Sequence, residues 1–257
     1  MNMQTQADDL VGTTAIVTGA SRGFGRAIAG ALTAAGAQVI GVARSRTGLD
    51  EVRDELGDGF TAVVADAADP ATAGRLIDEY RPRTIVLSAG SAPRMIPLPD
   101  QTWQTFSENW NMDVAQAFHW TRAALRRPLA PGSSVIAISS GAALAGSPLS
   151  GGYAGAKATV KFITDYADLE SQRAGLGVRF VSILPRLTPA TDLGAAAVAA
   201  YAERQGVDVD TFIRSSGPAL STEQVGRAVL ELAGGHTAPH DAYLLTAAGL
   251  SALAPSA

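Results

Sequence analysis

Short β-branched or apolar runs alternate with longer stretches of helical period along most of the chain. Thr14-Ala15-Ile16-Val17 is the first such run, and the pattern predicts strands near 14–17, 38–42, 61–64, 84–88, 134–139, 178–184 and 242–246. Between them it predicts helices near 24–35, 47–56, 70–80, 103–126, 153–174 and 223–233. Several ends are marked by residue type: Gly36 stops the first helix, Pro70 starts the third after Asp69, and Gly175 follows the long helix from 153. Strands alternating with helices are the signature of βαβ units. The expected fold is therefore α/β, a doubly wound parallel sheet, and no linker or internal repeat divides residues 11–257.

Two segments break the rhythm. Ser91 to Asp100 carries three prolines around Met95 and Ile96, and the alanine-rich stretch from Arg186 to Ser216 is flanked by Pro185, Pro189 and Pro218. Both leave carboxyl ends of predicted strands, where ligands bind in open parallel sheets. The first is a candidate substrate wall and the second, 186–216, a candidate lid. Met95, Ile96, Leu144, Leu149 and Leu187 would give that site an apolar lining.

Composition narrows the class. Hydrophobic residues make up 47% of the 257, enough for a sizeable core. A formal net charge of −4 gives no general basic surface, which argues against nucleic-acid binding. With no cysteine, and with His119, His236 and His240 at no ligand spacing, no metal site is expected. Residues 1–10 read as a polar, disordered lead-in rather than a signal peptide, since a basic start and an apolar core are both missing. No apolar run approaches the roughly 20 residues of a membrane helix. The expectation is a soluble, cytoplasmic protein with no membrane partner.

Candidate chemistry lies at two places. The loop Thr18-Gly19-Ala20-Ser21-Arg22-Gly23-Phe24-Gly25 joins the first strand to the first helix, so a tight turn and a helix N-terminus face a phosphate. Tyr153 and Lys157, at i and i+4, share one face of a helix, where an ammonium beside a phenol favours its ionised form. Ser139 and Ser140 end a buried strand upstream and point to opposite faces.

In this order, these pieces resemble the short-chain dehydrogenase/reductase family in its compact single-domain branch, whose fold is the Rossmann fold. The resemblance rests on the loop at 18–25, Asp66, Ser88-Ala89-Gly90, Ser140, Tyr153, Lys157 and Pro185. It implies that Ser140 and Tyr153 bind the reacting oxygen, that Lys157 holds the nicotinamide ribose and lowers the tyrosine pKa, and that a ketone or aldehyde is interconverted with an alcohol. It implies cofactor contacts from Gly19, Ser21, Arg22, Gly23, Phe24, Gly25, Asp66, Ala89, Gly90 and Pro185, with Thr188 or Thr191 reaching the carboxamide. NAD-specific members would place an acidic residue where Ala43 stands; Arg44 follows instead, and with Arg22 it suits the 2′-phosphate of NADP(H). A homotetramer or dimer is implied through helices 103–126 and 153–174.

Three positions depart from the family pattern: Ser88 and Asp113 each replace an asparagine, and Arg186 replaces a glycine. Asp113 is expected to ionise and pair with Lys157 through water, joining the catalytic set. Asn111 should face elsewhere, and His119, Trp110 and Trp120 should serve packing. The departures keep open a dinucleotide-binding sensor or scaffold with weak turnover; a fold relative that dehydrates or isomerises with the same tyrosine is a third reading.

Overall fold

The computed structural model describes residues 10–127, 129–235 and 241–254. Its sheet is built from β1 (Thr14–Thr18), β2 (Gln38–Ala43), β3 (Phe60–Val64), β4 (Thr84–Leu87), β5 (Ser134–Ile138), β6 (Arg179–Pro185), β7 (Ala242–Thr246) and β8 (Gly249–Ala252). The order is β3-β2-β1-β4-β5-β6-β7-β8. All pairings are parallel except the last, where β8 returns antiparallel on β7. The reversal between β1 and β4 opens the crevice that a doubly wound sheet offers to ligands.

Helices cover both faces because successive strand side chains point to opposite sides. On one face Val17, Ile136 and Ile183 meet Ile28 and Leu32 of α1 (Gly23–Ala34), and Val225 and Val229 of a late helix, Thr222–Ala233. On the other, Ile16, Val135 and Phe180 meet three further helices: Leu76 of α3 (Pro70–Tyr80), Trp120 of α5 (Ala115–Arg126) and Val160 of α7 (Gly151–Arg173). Trp120 is fully buried and donates from Nε1 to the Ala67 carbonyl at 3.0 Å, so its assignment to packing holds. Local chemistry fixes the ends: Ser45 accepts from Gly48 N ahead of α2 (Arg46–Leu56), and Asp69 accepts from Ala71 N with Pro70 in the first turn of α3.

Four differences from the sequence reading have physical causes. The lead-in lies outside the described residues except for Leu10, which is 1% exposed and belongs to the core rather than to a disordered tail. The helix expected over 103–126 is divided into α4 (Trp103–Ser107), a π turn at Trp110–Val114, and α5. Trp110 lies on that turn and is 38% exposed, with its ring edge over Gly155 of α7, so it packs at the surface rather than in the core. The segment after β6 forms two helices, α8 (Asp192–Gln205) and α9 (Val209–Ser215), followed by α10 (Thr222–Ala233). Its alanine-rich sequence hides the helical period, and a small cluster of Val198, Ala202 and Phe212 holds the pair together.

The short α6 (Ala142–Ala145) and β8 complete the chain. Leu144, expected to line a substrate site, is half exposed and borders a cavity with Ala158, Phe162 and Leu253. Among the described residues no helix is long and apolar enough to cross a membrane, and no cluster of potential metal ligands occurs.

Candidate active site

The glycine loop leaves β1 and is held by its neighbours on the sheet. Gly19 N and Ala20 N both donate to the Val42 carbonyl, at 2.7 and 3.3 Å. Gly19 has φ 69°, and a Cβ there would lie 2.7 Å from Ala89 Cα. A Cβ on Gly25 would lie 2.1 Å from the Gly19 carbonyl oxygen. Both positions therefore demand glycine, one for conformation and approach, the other for the packing of helix on turn. Arg22 stands at the N-cap of α1 without a side-chain cap, so the first-turn N–H groups lack an internal partner.

Around this loop, Ser21 is half-buried beside Gly48, while Arg22 and Arg44 are exposed. Arg22 lies 3.9 Å from Asp192 at the start of α8. Asp66 is exposed and folds back on its own turn, accepting from Ala68 N at 2.9 Å. Thr18 supports the opposite wall: its hydroxyl accepts from Ser88 N and Ala89 N at 3.0 and 3.2 Å and donates to Gln116 at 2.6 Å. Gln116 Nε2 in turn donates to the Ala89 carbonyl at 2.9 Å. The sequence reading missed Gln116, whose one signal was an uncharged polar residue on an otherwise apolar helix face.

The second half of the site joins the end of β5 to α7. Ser139 is buried and donates to the Lys157 carbonyl at 2.8 Å, so it serves the helix. Ser140 emerges half-buried, its oxygen accepting from Ala142 N at 3.2 Å. One turn of α7 separates Tyr153 from Lys157, whose ammonium sits 5.6 Å from the tyrosine ring centroid. The same ammonium donates to the Ile138 carbonyl at 3.0 Å, two residues before Ser140.

Asp113 comes to the ammonium directly rather than through water. Its Oδ1 lies 2.8 Å from Lys157 Nζ, and its side chain is 1% exposed. Burial pulls the Lys157 pKa down, but the charges of Asp113 and Tyr153 and the hydrogen bond to Asp113 outweigh it, and the value is raised. Asp113 Oδ2 accepts from Ser91 N and Oγ at 3.2 and 3.3 Å. Asn109, also buried, donates from Nδ2 to Ser91 O and Ser91 Oγ, each at 2.9 Å. Asn109 and Ser91 were not singled out in the sequence; the signal was a second polar residue four positions before Asp113. Asn111 is exposed and faces away.

At the end of β6, Pro185 is buried and its carbonyl accepts from Gly141 N at 2.9 Å, while Arg186 is exposed. Thr188 does not offer its hydroxyl to a ligand. It is 3% exposed, donates to the Leu220 carbonyl and accepts from Ala190 N. Thr191 is likewise engaged, accepting from Gly194 N at 3.1 Å as the cap of α8. Further along that helix the Tyr201 hydroxyl bonds Ser147, whose Oγ also accepts from Ser150 N at 2.9 Å, just ahead of α7.

The chain is similar to known proteins in sequence and in fold. The model of the short chain dehydrogenase family matches residues 13–202. The 3-oxoacyl-(acyl-carrier-protein) reductase of Escherichia coli is 33% identical over 122 residues, 45% of this chain and 49% of that protein. The chain thus spans about half the length of that relative. The Vibrio cholerae reductase of the same name is 29% identical over 182 residues, covering 68% and 73%. Sorbitol dehydrogenase of Cereibacter sphaeroides is 27% identical over 179 residues, covering 67% and 70%. A crystal structure of 3-ketoacyl-(acyl-carrier-protein) reductase from Brucella melitensis complexed with NADH superposes with a TM-score of 0.72, over 87% of this chain and 91% of that one, at 22% identity. The family match runs from the start of β1 into α8, and the fold agrees with it throughout: the chain belongs to the short-chain dehydrogenase family.

Proposed function

We propose that the chain is an oxidoreductase that interconverts a ketone or aldehyde with an alcohol, using NADP(H). The observation that carries this reading is the placement of Tyr153 one turn before Lys157, with the ammonium held between the phenol ring and the strand end that delivers Ser140. Relatives named as a 3-oxoacyl-(acyl-carrier-protein) reductase and a sorbitol dehydrogenase support the same class of chemistry.

The residues of the glycine loop fit a dinucleotide. Where Gly19 and Gly25 leave no room for a Cβ, the turn presents backbone alone, and the uncapped N-terminus of α1 favours an anion. Gly19, Ser21, Gly23, Phe24 and Gly25 would hold the pyrophosphate, Asp66 the adenine edge, and Ala89, Gly90 and Pro185 the remaining walls. Arg44 is exposed at the end of β2 with no ion pair among the described residues, and Arg22 has only a long, exposed contact to Asp192. Both guanidinium groups suit a 2′-phosphate.

When bound, a nicotinamide cofactor supplies or accepts the hydride. Tyr153 gives its phenolic proton to the substrate oxygen as negative charge develops there, and Ser140 hydrogen-bonds the same oxygen. Lys157 has three donor hydrogens; one goes to Ile138 O, and the ammonium pairs in charge with Asp113, which leaves donor capacity for the ribose side of the site. Asp113 acts through Lys157 as a positioning residue. The segment 186–216 is the lid: α8 and α9 carry their own small core, and Tyr201 ties them to the turn before α7.

A homo-oligomer formed through α5 and α7 is part of this reading. Phe162, Tyr166 and Leu169 form an exposed stripe at helical spacing on α7, and Phe118 is half exposed on α5. The deciding experiment is a panel of carbonyl compounds with NADPH, following cofactor oxidation. Substrate-dependent oxidation that disappears in Tyr153→Phe supports the assignment; persistence in that variant overturns it.

A further inference from the structure

Asp113 stands where the family pattern has asparagine, and its surroundings allow a test of whether an amide fits. Ser91 N can only donate, and it meets Oδ2 at 3.2 Å. An ammonium can only donate, and Lys157 meets Oδ1 at 2.8 Å. Asn109 fixes the remaining polarity. The Ser91 carbonyl can only accept, so the Asn109 amide must present its nitrogen there. That nitrogen also lies 2.9 Å from Ser91 Oγ, which therefore accepts and turns its own hydrogen toward Asp113 Oδ2.

We propose that Ser91 and Asn109 are positioning residues that make site 113 selective for an ionised carboxylate, and through it hold the Lys157 ammonium in place. Every polar neighbour of the two terminal atoms at 113 is a donor. An amide would turn an N–H against either Ser91 N or the ammonium, and a protonated carboxyl would do the same with its O–H. Restoring the family's asparagine therefore damages this site.

The proposal deepens the reading of Lys157 above, but it is tested on folding, so either can fail alone. Ser91→Ala, Asp113→Asn and the double variant are unfolded with denaturant, without cofactor. Asp113→Asn is expected to lower the folding equilibrium constant on the order of a hundredfold, and Ser91→Ala about tenfold. In the double variant the two losses do not multiply, because Ser91 acts on what stands at 113. Losses that multiply, or an Asp113→Asn variant as stable as the parent, overturn the proposal.

Should Asp113→Asn fail to fold, Ser91→Ala and Asn109→Ala carry the test through the alkaline limb of stability. The charged and titratable groups facing Lys157 among the described residues are Asp113 from the π turn and Tyr153 from its own helix; Lys161, one turn on, is paired with Asp165. Loosening Asp113 lets burial dominate at Lys157, so the ammonium is lost at lower pH. Both variants are expected to begin alkaline unfolding at lower pH than the parent, and an unmoved limb in both overturns the proposal.

Discussion

Lys157 Nζ and Asp113 Oδ1 lie 2.8 Å apart, with side chains only 9% and 1% exposed, and no other ion pair among the described residues is so deeply enclosed. Such a pair is asymmetric in its energetics: together the charges compensate, but either alone is a buried charge without a partner. Lys157→Met is therefore expected to cost about 3–5 kcal/mol of stability. Arg75→Ala, which breaks an exposed i,i+4 pair with Glu79, is expected to cost no more than about 1 kcal/mol. Parallel denaturant titrations of the two variants check the contrast.

The raised pKa of Lys157 gives the pair a definite pH dependence. A folded-state value above the ordinary 10.5 means that its contribution to stability is complete below that pH and is lost as pH climbs through the higher folded value. Thermal melts across the alkaline range should show stability falling only above the ordinary lysine range. A fall that begins near neutral pH and is absent in Lys157→Met would contradict the ion pair.

Gly90 controls the same carboxylate from outside. A Cβ there would sit 2.8 Å from Asp113 Oδ1, so Gly90→Ala pushes the carboxylate off the ammonium. We expect a destabilisation of about 1–3 kcal/mol and weaker cofactor binding, with the secondary structure intact by circular dichroism. Gly57→Ala, where the added Cβ meets nothing within 4 Å, separates this contact from a backbone effect, since Gly57 has φ 65° and only the conformational cost.

For cofactor choice, Arg44→Ala should weaken NADPH binding roughly tenfold or more and leave NADH binding nearly unchanged, because only NADPH carries the 2′-phosphate. Arg22→Ala should have the smaller effect, as Asp192 competes for that guanidinium. Fluorescence titration with both cofactors decides it, and equal losses for the two would sink the NADP(H) assignment.

Tyr153→Phe removes a proton and keeps the ring. Turnover should fall by about 10²–10⁴-fold, the range expected for loss of a general acid, while NADPH affinity stays within a few-fold. Near-native carbonyl reduction by this variant would place the acid on another residue.

The alternation of Thr14-Ala15-Ile16-Val17 and its successors with helical stretches was enough to anticipate the parallel sheet, because strands buried on both faces must be apolar throughout. The glycine loop was equally readable, since Gly19 and Gly25 have no steric substitutes. What escaped were features set by tertiary context. Thr188 looked like a cofactor ligand, yet its hydroxyl is consumed by Leu220 from a distant turn. Asn109 and Ser91 looked like ordinary loop and helix residues, since their value lies in a contact between segments. Alanine conferred no period on α8, and the π turn is a matter of hydrogen-bond register that residue spacing cannot report.

That π turn separates two quantities that usually rise together. At Ala115 the backbone N–H reaches back to the Trp110 carbonyl, so the helix from 103 to 126 holds one residue more than a regular α-helix would. Deleting a single residue from 110–112 would let the helix close into uniform α geometry, with better-formed hydrogen bonds along its length. Because a π turn closes over five residues what an α turn closes over four, the segments on either side would keep their orientation, but Asn109 and Asp113 would stand three residues apart instead of four and no longer meet Ser91 together. A shorter, more regular chain would thus be a better helix and a poorer site, so a local irregularity here is the cost of lining up Asn109, Ser91, Asp113 and Lys157.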